Sequence, residues 1–157
     1  MKYKGRTVDR PTQVFTLECG ETVTVAAPRL GAVRKALTVV PNPAPPQRHV
    51  KSKAGVQLIT NLEDPAYQAK LVEARVLQGV YLFWEATRGV GEFEFETKLA
   101  DNEEPSADFV EKLAEEIDAS FITGADLKKI VSFVHETAGF TDDEVDAASD
   151  FSDGPAG

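Results

Sequence analysis

Residues 64–87, DPAYQAKLVEARVLQGVYLFWEAT, form the longest predicted helix of the sequence. Asp64 can accept hydrogen bonds from the unpaired N–H groups of a first helical turn, and Pro65 suits the first helical position. Apolar side chains then recur three and four residues apart, which indicates one face of a long helix that stops before Gly89. The members of that face are Leu71, Ala74, Leu77, Val80, Tyr81 and Trp84. We therefore predict a helix from Asp64 to about Thr87.

The last third of this helix is apolar nearly all round, because Leu82 and Phe83 lie off the face just described. One interpretation is a core helix that the three later helices cover on several sides. The other is a groove for an amphipathic helix of another chain, since a protein of this size has little with which to cover such a helix. The candidate partner-binding residues are Leu77, Val80, Tyr81, Phe83 and Trp84.

Three further helices are predicted after the central one. Ser106 caps the first, and Thr123 opens the second, with Asp126 placed to return a hydrogen bond to the cap. A capping box opens a last short helix over residues 141–151, and the small, polar residues 152–157 are predicted to be a disordered tail.

A short segment between the central helix and Ser106 alternates with period two, Glu92-Phe93-Glu94-Phe95-Glu96. This alternation predicts an edge strand whose two phenylalanines point at the core. With the helices on either side of it, the segment belongs to an acidic helical domain over residues 62–151.

The N-terminal part of the chain predicts a β-hairpin over residues 13–27. Its second half, Thr22-Val23-Thr24-Val25, alternates strictly between polar and apolar side chains after a glycine-containing turn. A short helix should pack on the hairpin through a stripe at helical spacing, formed by Leu30, Val33 and Leu37. The β-branched residues 38–40 then predict an extended path.

Residues 41–61 predict a linker. Four prolines between positions 41 and 46 impose an extended path, and the rest is polar and basic with little periodicity. Val56, Leu58 and Ile59 are expected to pair as a short strand when a partner is present. The whole chain is thus predicted to be α+β: a small β-hairpin unit with a short helix (residues 1–40), the linker, and a mainly α-helical bundle of about four helices.

The charge of the chain is strongly polarised, although the net value is only −9. Residues 1–62 carry ten Lys/Arg against three Asp/Glu, whereas residues 63–157 carry seven against twenty-three. The acidic part repels nucleic acid and anionic membranes, so we predict neither as a partner. The only cysteine is Cys19, and no apolar stretch approaches the roughly 20 residues of a membrane span, which predicts a soluble protein inside the cell.

No motif in the sequence carries chemistry. His49 and His135 lack a second ligand at the spacing of a metal site, and the acids of residues 142–146 are explained by helix capping without the alternating ligands of a calcium loop. No phosphate loop or nucleophile motif is present. We therefore predict no enzyme, no metal and no cofactor.

The order of motifs is more informative than any single residue. The hairpin is followed by Pro28-x-Leu30, then Val40-Pro41-Asn42-Pro43, a linker, and Asn61-Leu62-Glu63-Asp64-Pro65-Ala66-Tyr67-Gln68-Ala69. The end of the chain carries Gly139-Phe140-Thr141-Asp142-Asp143-Glu144-Val145-Asp146-Ala147-Ala148-Ser149-Asp150-Phe151. Over most of residues 13–151 this arrangement resembles the tail assembly chaperones of long-tailed bacteriophages.

The resemblance implies a non-enzymatic protein of the host cell cytoplasm. Such chaperones coat the tape measure protein, keep it soluble and help tail tube protein subunits assemble around it, and they are generally absent from the mature virion. Attraction between the oppositely charged halves of two copies would add self-association. The alternatives are a structural virion component, such as a head–tail connector or minor tail protein, and a small inhibitor that mimics DNA through its acidic half.

Overall fold

In a computed structural model of the protein, the described residues are 2–4, 6–7 and 9–138. This part of the chain forms an α+β fold of three antiparallel two-stranded ribbons and four helices, which confirms the predicted fold class. The predicted last helix (141–151) and tail (152–157) lie outside the described residues. In chain order the elements are β1 (Lys2–Tyr3), β2 (Arg6–Thr7), β3 (Thr12–Thr16), β4 (Thr22–Ala26), α1 (Ala32–Val39), β5 (Gln47–Ser52), β6 (Gly55–Thr60), α2 (Pro65–Thr87), α3 (Ala107–Asp118) and α4 (Gly124–Ala138).

The predicted N-terminal hairpin is confirmed as the β3–β4 ribbon. Its register pairs Thr12 with Ala26 at one end and Thr16 with Thr22 at the other. Alternation along β4 places every second side chain on the same face, and the apolar ones on the core side are fully or almost fully buried. These buried side chains are Val23 and Val25.

Helix α1 presents a different face to the core from the predicted one. Gly31 has a φ of 86°, a conformation that favours glycine, and the helix begins directly after it. Leu30 therefore lies outside the helix and is 95% exposed, and Leu37 is exposed as well. The predicted stripe is wrong at these two positions. The predicted extended path is wrong at Thr38 and Val39, because the helix continues through Val39 and the chain leaves it only at Val40. The buried residues of α1 are Ala32, Ala36 and Val39.

The predicted linker contains a second hairpin. β5 and β6 pair antiparallel along their full lengths, and Gly55, with a φ of 114°, follows the two-residue turn between them. The prediction of a linker is wrong over residues 47–60, because hydrogen bonds within the chain order both strands without a partner.

Helix α2 is the element on which the rest of the body packs. The Asp64 carboxylate accepts a hydrogen bond from Tyr67 N at 2.8 Å and Pro65 is the first helical residue, so the predicted helix start is confirmed. β4, α1, α3 and α4 all contact α2. A single cluster of buried side chains draws on the β3–β4 hairpin and all four helices, so the hairpin unit and the helices share one core.

Residues 92–96 form no strand, although both of their phenylalanines face the core. The rings of Phe93 and Phe95 pack edge to face on Phe83, at centroid distances of 5.5 and 6.4 Å. The backbone N–H groups of Glu96 and of Thr97, which follows the segment, donate to the Glu116 carboxylate of α3, at 2.7 and 2.9 Å. The edge-strand prediction is wrong because the backbone bonds to a side chain rather than to a second strand.

The predicted caps of α3 and α4 are both present. Ser106 Oγ accepts a hydrogen bond from Phe109 N at 3.2 Å. Asp126 N donates to Thr123 Oγ1 at 3.2 Å, and the Asp126 carboxylate accepts from Thr123 N at 3.0 Å, which completes a capping box. The other oxygen of this carboxylate accepts from Glu18 N at 3.0 Å, and this bond joins the turn of the first hairpin to α4.

Candidate functional site

The five predicted partner-binding residues lie in the core or at its edge. Leu77 is half-buried, whereas the other four side chains are between 0 and 7% exposed. Side chains packed inside the protein cannot contact another chain, so the docking interpretation of this cluster is wrong for this fold. The four buried residues are Val80, Tyr81, Phe83 and Trp84.

Elements from both halves of the chain cover this end of α2. Trp84 packs against Phe109 of α3 with ring centroids 5.1 Å apart, and Phe83 packs against Phe93. α1, α4 and β4 contact the same helix from other directions. The core interpretation named only the later helices, so it missed the cover that comes from the N-terminal hairpin, α1 and the segment of Phe93.

The exposed apolar surface lies instead on the β5–β6 hairpin, which we call the arm (residues 47–60). Only Val50 in the arm is half-buried, and every other arm residue is exposed. Among the described residues the two strands make extensive contact only with each other. The arm carries three cations and no acid, and its exposed apolar residues are Val56, Leu58 and Ile59.

The register of the arm combines apolar and cationic side chains on both of its faces. Directly opposed residues of an antiparallel ladder lie on the same face. Lys51 is opposite Val56 on one face, and Arg48 is opposite Ile59 on the other. Each face can therefore contact an apolar surface that is bordered by acidic side chains.

The first half of α2 continues this exposed surface along the chain. Val72 and Val76 are 58 and 51% exposed, and Leu62, between the arm and the helix, is 55% exposed. Burial along α2 becomes continuous only from Gly79 onward, so the preceding turns lie largely outside the packed body. We call these three residues, together with the three of the arm, the exposed apolar set: Val56, Leu58, Ile59, Leu62, Val72 and Val76.

Hydrogen bonds tie the segment before the arm to α2 and close the arm at its base. Gln78 Nε2 of α2 donates to Val40 O and to Asn42 Oδ1, both at 2.8 Å. Asn61 N donates to Pro46 O at 2.8 Å and closes the end of the hairpin. Gln78 thus ties the segment that precedes the arm to α2, while the strands of the arm remain exposed.

A cleft between the start of α1 and the end of α2 holds a polar cluster without evident chemistry. Arg88 forms an ion pair with Glu85 at 2.7 Å, and its guanidinium carbon lies 4.3 Å from the centroid of the Trp84 ring. Burial, together with the nearby Glu85, raises the pKa of Tyr81 to about 12. The phenol is therefore protonated at neutral pH and the charged groups satisfy each other, so we assign no reaction to this cleft.

The residues that could ligate a metal are scattered. Within the described ranges, no three side chains from His, Cys, Asp and Glu come together in a way that could hold an ion. His49 lies on the arm, His135 on α4, and Cys19 is exposed in the first hairpin. The acids of residues 142–146 lie outside the described part of the chain. The absence of an enzyme activity, a metal and a cofactor stays a prediction.

In the part of the chain that the structure describes, every helix is too short or too polar to cross a membrane. No protein-family model matches the sequence, and neither a curated protein nor a solved structure matches it. The function is therefore inferred from the exposed apolar set and from the order of the sequence motifs.

Proposed function

We propose that the protein is a non-enzymatic tail assembly chaperone of a long-tailed bacteriophage that binds and solubilises the tape measure protein. The observation that carries the proposal is the exposed apolar set, which lies on the arm, whose strands within the described residues make extensive contact only with each other, and on the largely exposed first half of α2. The motif order over residues 13–151 supports the phage assignment.

The shape and chemistry of this surface suit an amphipathic helix. Val72 and Val76 are four residues apart, so they lie on one side of α2 and form a short apolar stripe. Leu62 leads from this stripe to the arm, where cations accompany the apolar side chains. A helix laid on the stripe would bury its apolar face there and place acids of its flank near Arg48 or Lys51.

The remaining surface supplies solubility. Residues 62–138 carry seventeen Asp/Glu against seven Lys/Arg, and most of the charged side chains are exposed. A high charge of one sign keeps a complex dispersed and repels nucleic acid and anionic membranes. On this proposal the protein works in the host cytoplasm, hands its client to tail tube subunits and is absent from the mature virion. Attraction between the basic arm of one copy and the acidic body of another would add weak self-association.

Co-expression with a tape measure fragment tests the proposal. The fragment should be more soluble with the protein than without it, and the double variant L58D/I59D should lose most of that effect because it places two charges in the exposed apolar set. L30D is the matched control, since it changes an exposed leucine that lies outside this set. A fragment that is equally insoluble with and without the wild-type protein refutes the chaperone proposal.

A structural virion component is the second candidate. The arm also favours this candidate. Within the described residues both edges of the arm lack a further strand, and such an arm can embed in a neighbouring subunit of a particle. Mass spectrometry of purified virions separates the two proposals. A chaperone should be absent or far below one copy per structural subunit, whereas a connector or minor tail protein should be present in fixed stoichiometry.

A further inference from the structure

A second surface, separate from the arm, lies along the outer edge of β3. Leu17 N donates to Glu21 O at 2.8 Å at the turn of the β3–β4 ladder. Bonded pairs recur at every second residue in an antiparallel ladder. This alternation directs the N–H and C=O groups of three β3 residues away from β4, namely Thr12, Val14 and Thr16.

This edge lacks the features that normally protect a strand from pairing. Exposed edges are usually blocked by charged side chains, proline or a covering element. The opposite edge of the same ribbon is covered, because the outward N–H of Thr24 donates to the Glu92 carboxylate at 2.7 Å. β3 itself contains neither a charged residue nor a proline, and within the described residues it has no neighbour other than β4. Val14, at its centre, is 62% exposed.

An apolar groove runs between β3 and α4. Phe15 and Phe133 form its floor, with ring centroids 5.6 Å apart and ring planes 65° apart. Phe15 is opposite the buried Val23 and therefore lies on the core face of the hairpin. A strand added at the free edge would continue this face and place its alternate side chains over the groove.

The charge of the groove wall selects the kind of strand. Lys128 and Lys129 of α4 line the groove, and they are two of the four Lys/Arg between residues 92 and 138, against thirteen Asp/Glu. The groove wall thus carries local positive charge on a body that is otherwise mainly acidic. Glu136 lines its other end, where it favours a neutral or basic residue.

We propose that β3 binds an extended acidic peptide of another protein by strand addition. The backbone of the peptide pairs with Thr12, Val14 and Thr16. The alternate side chains that point toward the groove are apolar over the two phenylalanines and acidic beside the two lysines. The proposal does not rest on the chaperone function, because the arm contributes nothing to this groove.

An NMR titration of the ¹⁵N-labelled full chain tests the proposal. The probe is an acetylated and amidated peptide of nine residues, with threonine at the odd positions, glutamate at positions 2 and 4, and valine at positions 6 and 8, so that acidic and apolar side chains share one face. Saturable shifts and slowed amide exchange are expected at Thr12, Val14 and Thr16, with shifts at Phe133. The same peptide with lysine in place of both glutamates should bind more weakly, and the glutamate peptide N-methylated at every second amide should not bind.

Two variants distinguish strand addition from non-specific binding of the peptide. V14P removes an outward N–H without touching the ladder to β4, so it should weaken binding at least about tenfold. K128E/K129E should weaken binding of the glutamate peptide about fivefold or more and reverse the preference between the two peptides. K70E, at an exposed lysine of α2, is the matched control and should leave affinity unchanged. If V14P fails to fold, the charge-reversal variant and the methylated peptide still test strand addition at β3.

Three results would overturn the proposal. The first is the absence of shifts along β3, or shifts confined to the arm. The second is an affinity that neither the charge reversal nor the methylated peptide changes. The third is slow amide exchange at Thr12, Val14 and Thr16 in the protein alone, because the edge would then be filled by residues 139–157 or by a second copy.

Discussion

Replacing Asp126 with asparagine tests how the first hairpin is held on the helical body. Asp126 is 1% exposed, and its carboxylate uses both oxygens. One oxygen accepts from Glu18 N, and the other accepts from Thr123 N and Thr123 Oγ1, all at 3.0 Å. Asparagine keeps one acceptor oxygen and turns the other position into a donor. Whichever way the amide is oriented, a backbone N–H then faces an NH₂ group.

The expected loss follows from the cost of one unsatisfied buried donor, about 1–3 kcal/mol of unfolding free energy. Urea unfolding followed by the fluorescence of Trp84, the only tryptophan, measures it. D118N is the matched control, because Asp118 is exposed, and it should change the unfolding free energy by less than about 0.5 kcal/mol. Equal stability of D126N and D118N would refute the role assigned to this carboxylate.

The pH dependence gives an independent check on the same residue. Burial opposes ionisation of Asp126, but the hydrogen bonds from Thr123 and Glu18 outweigh it and hold the pKa of the carboxyl below its usual value. A depressed folded-state pKa contributes stability above the unfolded-state pKa of about 3.9, and that contribution is lost as the pH falls further. The difference between wild type and D126N should therefore be constant from pH 7 to about 5 and shrink below pH 4. A difference that grows on acidification contradicts the assignment.

Three other predictions concern the core and the buried phenol. G79A should raise the unfolding free energy by about 0.5–1 kcal/mol, because a Cβ there meets Val131 Cγ2 at an ordinary 3.5 Å, and an unchanged urea midpoint contradicts this. L113A, at a fully buried site of α3, should cost about 2–5 kcal/mol, whereas V72A, at an exposed site, should change stability by less than about 0.5 kcal/mol; equal losses contradict the assigned core. Because the pKa of Tyr81 is raised in the folded protein, the unfolded chain releases the phenol proton at a lower pH than the folded one, and the unfolding free energy should fall from pH 10 toward pH 12. The urea midpoint should therefore fall less between pH 9 and 11 in Y81F than in the wild type.

The parts of the fold that could be predicted are those with local causes. α2, α3 and α4 begin at side chains that accept hydrogen bonds from the first turn, and each carries an apolar stripe at helical spacing. The buried face of α1 could not be predicted in the same way. Gly31 sets its start, and two of its three core residues are alanines, which give a weaker apolar signal than the exposed Leu30 and Leu37.

The arm was missed because nearly all of its residues are exposed. A strand without a buried face needs no alternation between polar and apolar residues, and that alternation is the usual signal. Two weaker signals were present: Gly55 after a short polar turn, and the β-branched residues Val56, Ile59 and Thr60 that follow it. The predicted binding cluster failed for the opposite reason, because the elements that bury Val80–Trp84 lie far from it in sequence.

Amide hydrogen exchange of the full chain, alone and mixed with a tape measure fragment, tests whether the tape measure protein binds to the arm and the first half of α2. We expect the fragment to slow exchange over the arm, residues 47–60, and over residues 62–76, and to leave residues 79–84 unchanged because they are already buried. Exchange that is unaltered over the arm and the first half of α2, or altered chiefly over residues 79–84, would contradict the proposed binding surface.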